Sequence, residues 1–98
     1  MKYSRFEELP VWKDAIDLAV AVYAFTTSAA FKGKYSLRDQ LERATVSVSN
    51  NVAEGFERGT TNELLSFLYI SRGSCGEVRS MLSLLERIPD FENFRFQI

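Results

Sequence analysis

The sequence predicts an all-α fold in a single domain spanning residues 1–98. Three observations carry that reading. Apolar residues recur at steps of three and four through most of the chain, a Thr-x-x-Glu box at Thr60–Glu63 marks a helix start, and Gly33, Gly59 and Pro89 punctuate the periodic segments.

The first helix is expected over about residues 10–28. Val11, Ala15, Leu18, Val22 and Phe25 form one stripe, and Pro10 suits the first turn. A second stripe, Trp12, Ile16, Ala19 and Tyr23, lies beside it and leaves a narrow band of Asp14, Asp17, Ala21 and Ala24 for solvent. So wide an apolar face suits a helix between two neighbours in one bundle, or one that also touches another subunit.

Residues 31–35 have a turn composition around Gly33, and Ser36 offers an N-cap hydroxyl for a second helix over about 37–58. Leu37, Leu41, Ala44, Thr45, Val48, Val52 and Phe56 hold its apolar face. Within it, Thr45–Ser49 alternates like a short strand, yet the helical period continues on both sides and favours helix.

Thr60 with Glu63 opens a third helix over about 61–87, with Leu64, Leu68, Ser71, Cys75, Val78, Leu82 and Leu85 as its seam. Gly73 and Gly76 fall in mid-helix, where each costs about 1 kcal/mol relative to alanine. Close approach of another backbone would compensate. Pro89 stops the helix. In the tail, residues 89–98, Phe91, Phe94, Phe96 and Ile98 are interspersed with polar residues. That composition suits an extended arm, a partial fourth helix, or a segment that orders with a partner.

Composition bounds the function. Hydrophobic residues make up 46% of the chain and charged residues 26%, a globular balance. Twelve basic and thirteen acidic residues give a net charge of −1, so no general basic field draws the chain to a phosphate backbone. The single cysteine, Cys75, has no internal disulfide partner, and the N-terminal residues do not read as a secretion signal, so a cytoplasmic location is the expectation. Apolar runs are broken every few residues by charges, which argues against a membrane span.

Catalytic machinery is not expected. Without histidine, imidazole bases, imidazole metal ligands and Ser-His or Cys-His nucleophiles are excluded. One cysteine makes neither a thiolate zinc site nor a redox pair, and no phosphate-binding glycine loop occurs, so neither metal nor cofactor is expected. What remains is a polar stripe along the second helix: Gln40, Arg43, Ser47, Asn51, Glu54 and Arg58, spaced at helical intervals opposite the apolar face. It reads as a solvated face with a Glu54–Arg58 pair, or as a polar contact with another helix or subunit. Amides and hydroxyls are poorer helix formers than Lys, Glu or Ala, which tilts the balance toward the contact.

Three ordered blocks resemble a known family. L-P-V-W-K-D-A at 9–15, Q-L-E-R-A-T-V-S-V-S-N-N-V-A-E-G at 40–55 and F-L-Y-I-S-R-G-S-C-G-E-V at 67–78 are similar to the four-helix bundle proteins encoded by intervening sequences in bacterial 23S ribosomal RNA genes. The resemblance implies an antiparallel up-and-down bundle of the four-helix type, here with its fourth helix short or missing. It also implies a homo-oligomer, typically a pentameric ring, and a non-enzymatic assembly protein as the leading reading. A related protein, the accessory variability determinant of diversity-generating retroelements, binds a reverse transcriptase and nucleic acid, which makes an RNA- or nucleoprotein-binding adaptor the alternative. The family pattern often carries proline where Ser49 stands, so a proline kink is not expected here.

Overall fold

The computed structural model describes residues 2–92 and 94. Among them are three α-helices and no strand: α1 (Pro10–Thr26), α2 (Tyr35–Glu57) and α3 (Thr61–Glu86). Short 3-10 turns at Phe6–Glu8, Ala29–Phe31 and Pro89–Phe91 flank them. α2 is the centre. α1 and α3 each run antiparallel along it and scarcely meet each other at the backbone. The result is long and narrow, 47 × 22 × 19 Å, with a radius of gyration of 15.0 Å. A compact domain of this length would have a radius of roughly 13 Å.

The helix ends correct the sequence reading in detail. α1 stops at Thr26 rather than near residue 28, because Ser28 caps the next turn: its hydroxyl accepts from the Ala30 N–H at 3.2 Å. α2 starts at Tyr35, with Lys34 at the N-cap and no side-chain cap bond, so Ser36 lies inside the first turn and is not the cap. Gly33, at φ +81°, redirects the chain just before it. Gly59, at φ +89°, ends α2 in the left-handed conformation that glycine adopts without steric cost. The Thr60 hydroxyl then accepts from the Glu63 N–H at 3.2 Å, as a capping box requires. The Glu63 carboxylate accepts a hydrogen bond from the Thr60 hydroxyl at 3.0 Å, where a complete box would bond the Thr60 N–H.

Thr45–Ser49 is helical throughout. The Thr45 hydroxyl donates to the Leu41 carbonyl at 2.8 Å and the Ser49 hydroxyl to the Val46 carbonyl at 3.2 Å, so both satisfy themselves on their own helix. Both residues are buried, and their short side chains let neighbours come close. Packing of Leu41, Val48 and Val52 supplies more than the local strand preference removes.

The core gathers toward the end of the molecule where the α1–α2 turn meets the end of α3. Leu41, Leu85 and Phe91 are fully buried there, with Phe31 only 2% exposed. Phe25, Phe31, Phe91 and Phe94 pack ring to ring with centroids 4.8–6.0 Å apart. Pro89 opens a 3-10 turn that folds Phe91 into this cluster. Asn93 and residues 95–98, including Phe96 and Ile98, lie outside the described residues. Met81 and Ile88, surplus to the predicted α3 seam, are absorbed into the core, whereas Ile70 and Leu84 stay about half exposed. Among the described residues no helix is long and apolar enough to cross a membrane.

The expected close approach at Gly73 and Gly76 is not made within the chain. A Cβ built on either would meet nothing within 4 Å, since both face away from α2. The tight contact is at Gly55, where a Cβ would lie 2.6 Å from Phe67 Cβ and 3.3 Å from Leu64 Cα. Replacing Gly55 by alanine is expected to cost about 1–3 kcal/mol in overpacking against a gain of about 1 kcal/mol in helix propensity. The Gly55→Ala protein should therefore show a lower urea midpoint. A raised midpoint would mean that α2 and α3 separate at no cost.

Candidate functional site

The polar stripe of α2 divides into parts with different surroundings. Gln40 and Arg43 are exposed and make no side-chain hydrogen bond within the chain among the described residues. Ser47, half-buried, reaches the neighbouring helix: its Oγ lies 2.9 Å from Ser74 Oγ of α3. Asn51 reinforces it by donating its amide to the Ser47 carbonyl at 2.8 Å and to Ser47 Oγ at 3.0 Å. One turn away, the buried Ser71 hydroxyl donates to the Val48 carbonyl at 2.9 Å. The middle of the stripe is thus a hydroxyl seam between α2 and α3.

At the far end Arg58 ties three groups together. It pairs with Glu54 at 3.0 Å and Glu63 at 3.8 Å, and its guanidinium sits over the Phe67 ring at 5.1 Å. These groups are about half exposed, so each ion pair contributes little by itself. Their consequence is geometric, since they clamp the α2–α3 turn beside the Gly55–Phe67 contact.

Several depressions mark the described surface, one of them, about 240 Å³, at the α1–α2 turn among Thr27, Lys32, Tyr35 and Arg38. Tyr23 of α1 with Arg43, Val46, Asn50, Asn51 and Glu54 of α2 borders an open, mixed hollow of about 440 Å³. On the opposite side of α1 an apolar groove runs between α1 and α3 over Val48. Val11, Ala15, Leu18 and Cys75 line one stretch of about 200 Å³, and Leu18, Val22, Phe25 and Leu82 line the next, about 140 Å³. Phe25, which lines the second stretch, packs edge-on against Phe94 at 5.0 Å. Another depression, about 200 Å³, lies on the outside of α3 among Leu65, Leu68, Tyr69 and Arg72.

Sequence reasoning placed Cys75 in the apolar seam. It is half-buried in the groove wall. The sequence sets Ile70 and Leu84 beyond the apolar seam of α3, and both are about half exposed; what it did not reveal is that Leu65 and Tyr69 are exposed on the same helix. Shifted titrations are found at the exposed N-terminal segment. Glu7 is held below the ordinary carboxylate range by the Arg5 side chain, and Glu8 by the Ser4 backbone N–H. Neither lies near a depression. Among the described residues no group of acidic or cysteine side chains converges on a possible metal site.

The family model described as 23S rRNA-intervening sequence protein matches residues 7–96. No curated protein and no solved structure matches the chain. The matched span takes in both sides of the α2–α3 seam, from Ser47 and Gly55 to Phe67 and Ser74.

The seam is open to a double-mutant cycle. Ser47→Ala and Ser74→Ala are each expected to lower stability by about 0.5–1.5 kcal/mol, and the pair by less than the sum, because both remove one shared bond. Gln40→Ala, at an exposed position, should stay within about 0.5 kcal/mol of the parent. Strict additivity of the serine variants in urea unfolding would show that their hydroxyls do not interact.

Proposed function

We propose, from the premise that this chain belongs to the 23S rRNA-intervening sequence protein family, that it acts without catalysis as a homo-oligomeric helical-bundle assembly protein. The observation that carries this reading is the amount of large apolar surface left uncovered. Val20 and Tyr69 are 64% and 70% exposed, Val11, Leu65, Ile70 and Leu84 about half, and the groove between α1 and α3 is open along two stretches. Full burial of one such side chain is worth about 1.5–3 kcal/mol, against a total stability of about 5–15 kcal/mol for a typical domain. Association recovers that free energy, and the resemblance favours a ring of five, whose closure stops apolar faces from propagating into filaments.

The second reading, an RNA- or nucleoprotein-binding adaptor, draws on Lys32, Lys34, Arg38 and Tyr35, which the sequence gathers near the α1–α2 turn. Arg38 stacks over Tyr35 at 4.9 Å. Against it, Arg38 pairs with Asp39 and Lys34 with Asp90, which offsets two of the three cations of the cluster, and the chain carries a net charge of −1. A cytoplasmic setting accords with either reading, because it keeps Cys75 reduced.

Light scattering coupled to size exclusion at micromolar concentration tests the leading reading. A mass at a multiple of 11.2 kDa, with unfolding that shifts with protein concentration, is the expected result. A mass of 11.2 kDa with concentration-independent unfolding would overturn it. RNA binding in a gel shift that weakens steeply between low and moderate salt would instead favour the adaptor.

A further inference from the structure

We infer that Tyr69 of one copy of this chain seats in the hollow between α1 and α2 of the next copy, with Glu77 of the first set against Arg43 of the second, in a head-to-tail contact. This rests on the homo-oligomeric reading and names the two surfaces that meet. Among the described residues Tyr69 is the most exposed large apolar side chain, at 70%, and it stands on the side of α3 opposite the buried Ser71, Val78 and Leu85. A phenol gains most where its ring is covered and its hydroxyl finds a hydrogen-bond partner.

The hollow offers both. Tyr23 and Val46 give it an apolar wall, and Val20, 64% exposed, stands one turn before Tyr23 on α1. Asn51 gives its amide N–H to Ser47, which leaves its carbonyl oxygen to accept from a hydroxyl. The space of about 440 Å³ admits the ring. Knob and hollow are different surfaces, so each copy uses one of them on either side, and the contact repeats from copy to copy.

Height along the molecule decides whether that repeat closes. In the antiparallel α2–α3 hairpin Gly55 faces Phe67, Val48 faces Ser71 and Ser47 faces Ser74, so Tyr69 stands level with Asn51, and Glu77 level with Arg43. A rotation about an axis parallel to the helices keeps every height. The knob therefore reaches its hollow with no shift along the axis, the condition for a closed ring, whereas a shift at each step would generate a filament. The same rotation keeps α3 of one copy antiparallel to α2 of the next and brings Glu77 to the height of the next copy's Arg43. No ion pair within the chain engages either charge among the described residues, so each is available to the other. A knob and a charge that match a hollow and an opposite charge in height select a second copy as the occupant. Gly73 and Gly76, between Tyr69 and Glu77, add no side chain to hold the helices apart.

Charge exchange and cross-linking test this in the full chain. Tyr69→Ala is expected to raise the dissociation constant of the assembly at least about tenfold, as loss of a central aromatic anchor does. Arg43→Glu and Glu77→Arg should each raise it about tenfold by setting like charges at one height, with helicity unchanged, and the double variant Arg43→Glu/Glu77→Arg should regain most of that loss. Gln40 and Ser80 lie at one height by the same register, so in a Cys75→Ser background a tagged Gln40→Cys chain co-expressed with an untagged Ser80→Cys chain should give mixed dimers with a short bismaleimide. Neither chain alone should link to itself. Self-linking without mixed dimers, single charge variants that associate as tightly as the parent, or a double variant that regains nothing would overturn this contact while leaving homo-oligomeric assembly standing. A monomeric parent would overturn both.

Discussion

The close contact between α2 and α3 is the constraint on which the other features depend. At Gly55 the two helices approach until no Cβ fits, and one face of that contact is the side chain of Phe67. Two turns away hydroxyls replace apolar contacts: Ser47 meets Ser74, and Ser71 reaches the Val48 carbonyl. A hydroxyl buried without a partner would cost about 1–3 kcal/mol, yet no buried side-chain polar atom lacks a partner among the described residues. The seam is therefore close and polar without being destabilising. It holds two long helices in one register, and α1 is then laid against the hairpin.

That arrangement explains why the sequence was readable in some places and not in others. The α3 start was legible because Thr60 and Glu63 act within one turn, with no tertiary information required. The Ser36 cap failed for the converse reason: a serine near a turn fits either an N-cap or a first-turn position, and Gly33 sets the chain's direction early enough for helix to begin at Tyr35. Thr45–Ser49 reads as strand when each residue is weighed alone. Its hydroxyls become assets only when bonded back to the preceding turn and pressed against another helix.

The glycines show the same limit more sharply. Sequence spacing singled out Gly73 and Gly76, because two glycines in mid-helix are costly, but it left Gly55, near the end of α2, as one letter in a block. Within the chain the close approach belongs to Gly55. A glycine's cost is a local quantity and can be read from the sequence, whereas the neighbour that offsets it is set by how helices cross. The polar stripe shows this too, since one spacing rule gathered residues that the fold divides among solvent, a hydroxyl seam and an ion-pair clamp.

A helix hairpin with a third helix on one side leaves two unlike edges. Toward α1 the edge is a groove, because α1 and α3 both lean on α2 without closing over it, and Phe25 of the aromatic cluster lines one stretch of it. Away from α1 the edge is the back of α3, where Tyr69, 70% exposed, borders the depression among Leu65, Leu68 and Arg72. Internal packing cannot reach that surface, because every core contact of α3 is made by its other side. Strengthening the core would leave the apolar residues on the back of α3 in water. Their burial, unlike that of Val78 and Leu85, would take a surface that the described part of the chain does not supply.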